Sequence, residues 1–198
     1  MSMLIGLTGP TGAGKSTASK VAVGLGFQVI DCDKLAREAV IKGSKGLLAL
    51  VSVFGEDITL SDGSLNRKKL AEKAFASKEK TELLNKTLLP YIVSLVWEKI
   101  TEEKVLLDAP TLFESGLNLE CGYTIAVLAK EELRLKRKIE RDSITKEQAL
   151  LRIRAGKPDS FYTENADYVV YNNGDEETLK TEFINILKNR EEGKYERK

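Results

Sequence analysis

The sequence predicts an α/β fold, a three-layer sandwich in which helices cover both faces of a five-stranded parallel sheet. Three observations support this fold class. Short apolar runs recur along the chain, amphipathic stretches separate them, and a glycine-rich turn follows the first run. This alternation favours a parallel sheet, because parallel strands need crossover connections that are usually helical. The length of 198 residues suffices for one such domain and a modest insertion.

The predicted strands are apolar runs bounded by turn residues, which is the pattern of buried parallel strands. They lie at residues 4–8, 27–31, 105–108, 123–129 and 168–171. Helical spacing of apolar residues follows the first strand. Further helices are predicted at 131–141, at 145–154 and around the apolar positions from Leu179 to Leu187. The charged residues from Arg190 to Lys198 are expected to fray.

Residues 34–100, between the second and third strands, carry helical patterns without a strand pattern. A polar turn from Gly55 to Gly63 divides them, and the long amphipathic helix that ends the segment contains Pro90. Because proline removes a helical hydrogen bond, we expect a kink or a break there. The sequence therefore predicts an all-helical insertion.

The composition excludes several function classes. The net charge of +1, from 31 basic and 30 acidic residues, argues against a protein built to grip nucleic acid or an anionic membrane. The chain has no histidine, which excludes Ser-His-Asp and Cys-His catalysis and histidine-ligated zinc. Cys32 and Cys121 are expected to be free thiols. With no leader pattern and no apolar stretch of bilayer length, we expect a cytoplasmic protein. A monomer or weak homo-oligomer is a separate expectation.

The segment GPTGAGKS at residues 9–16 matches the P-loop pattern at every fixed position and lies between a strand and a helix. Glycines allow successive backbone N–H groups to surround phosphate oxygens, and the helix N-terminus adds partial positive charge. Lys15 is expected to contact the β- and γ-phosphates of ATP, and the Ser16 hydroxyl to ligate Mg²⁺. The candidate nucleotide contacts of this segment are Gly12, Ala13, Gly14, Lys15, Ser16 and Thr17.

Acidic residues end the second and third strands, at the sheet edge where parallel folds bind ligands. Asp31 and Asp33 are two residues apart, so on a continuing strand they would point the same way. Asp33 is a candidate base that orients or deprotonates an acceptor hydroxyl, or the N-cap of a helix starting near Lys34, or both. Asp108 is either a Walker B acid near Mg²⁺ or a cap for the turn before Pro110.

Three arginines, Arg134, Arg137 and Arg141, share one face of a predicted helix because they are three and four residues apart. Such a face usually meets solvent. Beside a P-loop, Arg137 and Arg141 are instead candidates for neutralising charge on the transferring phosphoryl group. Arg152 and Arg154 in the following helix are candidates for a closing lid.

Four further segments carry recognisable motifs. They are VIDCD at 29–33 with Ala36 and Arg37 behind it, GSLNR at 63–67, DAPTLFE at 108–114, and ADYVV at 166–170 followed by NNG at 172–174. Together with the P-loop, in this order and over nearly the whole chain, they resemble the dephospho-coenzyme A kinase family. Many kinases share the P-loop, whereas the aspartate pair and the Pro-x-Leu-Phe-Glu segment are far more selective.

The resemblance implies phosphorylation of the ribose 3′-hydroxyl of dephospho-coenzyme A by ATP, the last step of coenzyme A synthesis. It implies that Asp33 is the catalytic base, that Arg141 meets the ATP phosphates, and that the loop containing Asn173 lies near the adenine. With Lys15 from the P-loop, Asp33 and Arg141 complete the predicted catalytic residues. The implied domains are a nucleotide-binding core at 1–33, 101–141 and 159–198, an acceptor-binding insertion at 34–100, and a lid at 142–158.

The chain departs from the family pattern in four places. Leu89 stands where the family usually has His before a proline, and Thr111 stands where the proline segment usually has Leu. Gly156 and Tyr162 stand where Gln and Lys are usual. The departures at Leu89, Gly156 and Tyr162 concern acceptor and lid contacts rather than the phosphate site.

Three other functions compete at this stage. A kinase for another nucleoside, nucleotide or pantetheine-like acceptor would use the same chemistry, with the helical insertion choosing the substrate. A nucleotide-dependent switch is opposed by the lack of an Asn-Lys-x-Asp segment and of a switch glycine at 108–111. A binding module that has lost activity is opposed by the intact Lys15, Ser16, Asp33 and Asp108.

Overall fold

Five parallel strands form the centre of the protein in the computed structural model, which describes residues 3–191. They are β1 (Met3–Thr8), β2 (Gln28–Asp31), β3 (Lys104–Asp108), β4 (Tyr123–Leu128) and β5 (Tyr168–Tyr171). Every neighbouring pair is parallel, and the order across the sheet is β2-β3-β1-β4-β5. The predicted fold class is confirmed, and all carboxyl ends of the strands lie along one edge.

Helices connect the strands. Those of the described chain are α1 (Lys15–Gly24), α2 (Cys32–Glu38), α3 (Lys45–Phe54), α4 (Arg67–Ala74), α5 (Lys78–Lys99), α6 (Glu131–Asp142), α7 (Lys146–Arg154), α8 (Asp159–Asn165) and α9 (Glu176–Glu191). Short 3₁₀ turns lie at Glu56–Ile58 and Leu117–Glu120. Neither α8 nor the second 3₁₀ turn was predicted, because both are short and lack helical apolar spacing.

Among residues 3–191, no helix has the length and apolar character needed to cross a membrane. The segment from Arg190 to Lys198 was expected to fray. Its first two residues belong to α9, and residues 192–198 lie outside the described part of the chain.

The sheet is buried on both faces because alternate residues of its central strands point to opposite sides. In β3, Leu106 packs in the core that contains α1 and α9, while Val105 and Leu107 pack in the core that contains α2 and α5. Phe183 of α9 is fully buried in the first core, and Ile92 of α5 is buried in the second. The result is the predicted three-layer sandwich.

The predicted insertion at 34–100 takes part in two packing units. Its ends, α2 and the second half of α5, form one layer of the sandwich, with Leu35 and Val96 in the core against the sheet. Its middle has a separate apolar cluster around Leu50 and Ile58, which joins α3 and α4 to the first half of α5. We call this middle part, residues 40–88, the helical arm.

The helix α5 runs as one element through Pro90, so of the kink or break predicted there the break is wrong. Proline inside a helix costs about 3 kcal/mol because it removes a hydrogen bond and crowds the preceding turn. Leu88, Tyr91 and Ile92 pack against the core on either side of it. Burial of several such side chains contributes more than the proline costs, so tertiary packing keeps the helix continuous.

Candidate active site

The P-loop leads from β1 into α1, and Gly12 and Gly14 are two of its positions that require glycine. Gly12 and Gly14 have φ angles of 80° and 108°, which residues with side chains rarely adopt. Space is equally restrictive, because a Cβ atom on Gly14 would lie 2.1 Å from the Nδ2 atom of Asn172. A Cβ atom on Gly12 would lie 2.8 Å from the carbonyl oxygen of Arg134. The loop is therefore packed closely against the segments that follow β4 and β5.

Two side chains hold the P-loop through its carbonyl oxygens. The buried Asn172 donates from Nδ2 to the oxygen of Ala13 at 2.8 Å. Arg137 donates from Nη1 to the oxygens of Gly12 and Ala13, at 3.4 and 3.5 Å. It also donates from Nη2 to the carbonyl oxygen of Asn172 at 3.1 Å. These contacts fix the loop from its carbonyl side, while the first N–H groups of α1, which have no partner within a helix, are suited to bind phosphate.

The loop after β5 approaches the P-loop through Asn172 rather than through Asn173. The Oδ1 atom of Asn173 accepts a hydrogen bond from the N–H of Lys130 at 2.7 Å, which ties this loop to the start of α6. Asn172 lines the cleft around the P-loop, whereas Asn173 is not among the residues that line it. The nucleotide contacts predicted for Arg137 and Asn173 stay predictions.

Lys15 is the first residue of α1, and its Nζ atom donates to the carbonyl oxygen of Gly9 at 3.0 Å. Burial lowers the pKa of its ammonium group, while the carboxylates of Asp108 and Asp33 act in the opposite direction. The fold thus brings the lysine close to acids from two other strand ends. Reduced solvent access also strengthens the attraction between this ammonium group and a phosphate.

The aspartate pair after β2 differs from the prediction in its local structure. The helix α2 begins at Cys32, so Asp33 lies in the first helical turn and not two residues along a strand from Asp31. The N-cap is Asp31, whose Oδ1 atom accepts from the N–H of Lys34 at 2.9 Å. The alternative role of Asp33 as the cap is therefore wrong, and Asp33 lines the cleft. Desolvation, and next the charge of Asp31, raise the pKa of Asp33.

Asp108 ends β3 beside Asp31, its register partner on β2. Its Oδ2 atom accepts from the hydroxyl of Ser19 at 2.9 Å, so α1 holds the carboxylate. Within the described chain, Asp108 does not cap the turn before Pro110. Ser19 is absent from the predicted site, although its place three residues after Ser16, on the same helix face, was a usable signal. The hydrogen bond fixes one carboxylate oxygen and leaves the other available to a ligand.

Ser19→Ala should lower kcat by up to about tenfold, because the Asp108 carboxylate loses a hydrogen bond that orients it. The KM for ATP should change little, since the P-loop contacts remain. Steady-state kinetics together with thermal unfolding check this prediction. Ser52→Ala is the matched control, because the Ser52 hydroxyl bonds only to the backbone of its own helix at Ala49. Equal effects of the two substitutions on kcat would contradict a positioning role for Ser19.

The three arginines of α6 have different surroundings, although they share a helix face. Arg134 is buried, and its Nη1 atom lies 3.2 Å from Oδ1 of Asp159, which ties α6 to α8. Arg137 braces the P-loop, while the exposed Arg141 donates from Nε to Oδ1 of Asp142 at 2.8 Å. Packing therefore separates the three, and the face has no single role. Arg141 lines the cleft, and its phosphate contact stays a prediction.

Asp142, at the end of α6, connects this helix to α7. Its carboxylate accepts from Arg141, pairs with Lys138, and accepts from Nη1 of Arg152 at 3.0 Å. Hydrogen bonds from Arg141 and then Lys138 hold the pKa of Asp142 well below its usual range. Because Arg141 and Arg152 also line the cleft, this carboxylate would compete with a bound phosphate for both arginines.

One cleft of about 1050 Å³ brings the predicted groups together where the strands end. The predicted site residues that line it are Gly12, Ala13, Gly14, Lys15, Ser16, Thr17, Asp33, Asp108, Arg137 and Arg141. Glu114 and Lys157 also line it, and neither was singled out as a site residue from the sequence. Glu114 belongs to a motif segment, so its place in the cleft gives that motif a structural location.

The departures from the family pattern fall in two environments. Thr111, Gly156 and Tyr162 line the cleft, where they can alter ligand contacts. Leu89 instead packs in the core, and its Cδ2 atom lies 3.1 Å from the position of a Cβ atom on Gly116. Burial raises the pKa of Tyr162 to about 12, so its hydroxyl is neutral at physiological pH.

A P-loop that opens a helix at the carboxyl edge of a parallel sheet, with a lysine and two aspartates around it, defines the class of P-loop phosphotransferases. Within this class, the family model for dephospho-CoA kinase matches residues 3–178. The chain belongs to the dephospho-CoA kinase family and is a kinase.

Individual relatives agree with this assignment. The dephospho-CoA kinase of Listeria monocytogenes serotype 4b is 38% identical over 194 residues, which cover 95% of this chain and 97% of that protein. The dephospho-CoA kinase of Arabidopsis thaliana is 36% identical over 190 residues, which cover 93% of this chain and 82% of that protein. The structure of dephospho-CoA kinase from Campylobacter jejuni matches with a TM-score of 0.65 and 26% identity, covering 98% of this chain and 100% of that one.

Proposed function

We propose that this chain transfers the γ-phosphoryl group of ATP to the ribose 3′-hydroxyl of dephospho-CoA, which yields CoA and ADP in the last step of CoA synthesis. Membership in the dephospho-CoA kinase family supports the donor and the acceptor. The observation that carries the proposal is the cleft, which contains both the P-loop with Lys15 and the carboxyl group of Asp33. One site thus combines a phosphate cradle with a group able to orient a hydroxyl.

In this proposal, the P-loop holds the donor phosphates with its N–H groups and with the ammonium group of Lys15. The transition state of phosphoryl transfer is loose and spreads negative charge over the transferring oxygens, so alignment and electrostatic stabilisation matter more than early proton removal. Asp33 accepts a hydrogen bond from the acceptor hydroxyl, aims its oxygen at phosphorus, and takes the proton as the new bond forms. Arg141 adds positive charge at the cleft.

Ser16 and Asp108 are the residues that would hold Mg²⁺. Both offer oxygen atoms at the cleft, and Ser19 fixes the carboxylate of Asp108. Over residues 3–191, acidic and cysteine side chains form no cluster of three that could bind a metal by itself. This donor set fits Mg²⁺, which is usually bound by one or two carboxylates together with water and substrate phosphates. When bound, the ion would neutralise charge on the β- and γ-phosphates.

We assign acceptor binding to the insertion at 34–100, and to the helical arm in particular. The arm borders the cleft, because Asn85 on α5 donates to the backbone carbonyl of the cleft residue Glu114 at 2.9 Å. The lid is assigned to 142–158, because Arg152 and Lys157 line the cleft. The remaining segments, 1–33, 101–141 and 159–198, make up the nucleotide-binding core. A cytoplasmic location and a monomeric or weakly associating state complete the proposal.

The test is ADP release from ATP and Mg²⁺ with dephospho-CoA, compared with adenosine, AMP, CMP and no acceptor. We expect strong turnover with dephospho-CoA alone and a product phosphorylated at the 3′ position. Comparable turnover with AMP or CMP would indicate a kinase for another nucleotide. Acceptor-independent hydrolysis without transfer would indicate a nucleotide-dependent switch.

A further inference from the structure

The carboxylate of Glu114 is a charged group that the mechanism above does not use. Glu114 lines the cleft, and its Oε2 atom is shielded from solvent without a hydrogen-bond partner in the described part of the chain. An ionised carboxylate oxygen can only accept hydrogen bonds, and leaving a buried one unpaired is costly. Because folded proteins rarely keep such an atom without a reason, the missing donor points to a ligand.

The fold fixes the position of Glu114. The Nδ2 atom of Asn85, on the helical arm, donates to its backbone carbonyl at 2.9 Å. The neighbouring Phe113 packs edge to face against Phe161 of α8, with ring centroids 5.9 Å apart. Glu114 is therefore held between the arm and α8. Its Oε2 atom is shielded from solvent, so contact with bulk water does not account for the missing protein partner.

Two cations of this region have other partners, although the Nε atom of Arg134 is itself a buried donor without a hydrogen-bond partner in the described part of the chain. Arg134 pairs with Asp159, and the Nζ atom of Lys157 lies over the ring of Phe161, 5.1 Å from its centroid. Among the described residues, no basic side chain forms an ion pair with Glu114 within 4.0 Å. A donor from the acceptor substrate would complete its hydrogen bonding.

Glu114 belongs to the acceptor side of the cleft. It follows β3, which lies beside β2 in the sheet, and β2 leads directly into the helix that carries Asp33; the backbone of Glu114 also contacts the arm. The nucleotide side instead lies where Arg137 and Asn172 brace the P-loop, after β4 and β5. A carboxylate would repel the phosphates of ATP, whereas it would attract a neutral O–H or N–H group of the acceptor.

We propose that the Glu114 carboxylate accepts a hydrogen bond from the nucleoside part of the acceptor and so contributes to acceptor selection. This inference rests on the proposed function, because the nucleoside of dephospho-CoA carries the neutral donors that face Asp33 and its surroundings. Two groups have the required chemistry, the 2′-hydroxyl of the ribose and the amino group of the adenine. The experiment distinguishes between them.

Glu114→Gln keeps the size of the side chain and removes its charge. We expect kcat/KM for dephospho-CoA to fall about 10- to 100-fold, the range for loss of a hydrogen bond to a charged group, with the KM for ATP unchanged. The thermal unfolding midpoint should stay the same or rise, because the charge next to the shielded, unpaired Oε2 atom is removed. Glu120→Gln, which changes an exposed acid in the same connection, is the matched control and should behave as the unaltered chain.

Acceptor analogues identify the donor. One analogue lacks the 2′-hydroxyl, and the other carries hypoxanthine in place of adenine. With one of these analogues, kcat/KM of the unaltered chain should fall by the same factor that Glu114→Gln loses with dephospho-CoA. Glu114→Gln should show no further fall in kcat/KM with that analogue. The inference would be overturned if the effect of Glu114→Gln on kcat/KM simply added to the effect of each analogue. It would also be overturned if Glu114→Gln raised the KM for ATP in parallel. If the unaltered chain itself fails to phosphorylate dephospho-CoA, the proposed function fails, so the two failures are distinguishable.

Discussion

Lys15→Ala is expected to abolish phosphoryl transfer, with kcat lowered by about 10³-fold or more. Its ammonium group is the charge that the P-loop places against the β- and γ-phosphates, and one well-placed donor at developing charge is worth about 10² to 10³ in kcat. Burial lowers the pKa of Lys15, because its ammonium group is partly withdrawn from solvent. Because low solvent access strengthens charge–charge attraction, the loss should reach the upper end of that range.

The measurement for Lys15 is single-turnover transfer from ATP to dephospho-CoA, with nucleotide binding followed separately by calorimetry. Lys15→Arg should also be severely impaired, because a planar guanidinium group cannot replace the ammonium group that bonds to the Gly9 oxygen. Lys20→Ala removes an exposed lysine from the same helix and should leave turnover unchanged. Near-normal transfer by Lys15→Ala would contradict the assignment of the phosphate site.

Local rules were enough to predict the sheet and the phosphate-binding loop. The strands β1, β3 and β4 are buried on both faces, so continuous hydrophobicity marks them without knowledge of their neighbours. The P-loop glycines satisfy local backbone requirements, which makes GPTGAGKS readable from spacing alone. Lys15 and Asp108 line one cleft, as expected from the shared edge at which the carboxyl ends of parallel strands meet.

The choice between similar side chains could not be predicted where tertiary packing decides it. Asn172 and Asn173 are adjacent and identical, and the close packing of one of them against Gly14 separates their roles. Ser19 meets Asp108 across a separation of 89 residues, so its helix spacing from Ser16 could place it near the site but could not identify its partner.

The division of the insertion was hidden for a related reason. Leu35 and Leu50 both fit apolar helical patterns, yet the first is buried against the sheet and the second lies in the arm. Periodicity shows that a helix face is apolar, but not which surface covers it. Only the position of β2 beside β3 shows that α2 and α5 form a layer of the sandwich.

Asp33→Asn is expected to lower kcat by about 10²-fold or more and to leave ATP affinity almost unchanged, the usual scale for an acid–base group. The structure separates this role from helix capping, because Asp31 caps α2 and Asp33 lies in its first turn. The substitution removes a carboxylate near a helix N-terminus, which costs about 0.3–1 kcal/mol of stability. Transfer kinetics and calorimetric ATP binding are the measurements. Comparable losses of binding and turnover would contradict a role at the acceptor hydroxyl.

The pH profile gives a second test of Asp33, because its carboxyl group must be deprotonated to accept a proton. Activity should therefore fall as the pH drops through its pKa. Desolvation, and then the charge of Asp31, raise that pKa, so the fall should begin at a higher pH than for an ordinary aspartate. Asp31→Asn removes the neighbouring charge and keeps a good N-cap, so the acid limb of kcat/KM should move to lower pH at unchanged stability. An unchanged acid limb would mean that a group other than Asp33 controls it, because Asp33 cannot lose this neighbouring charge without a change in its own pKa.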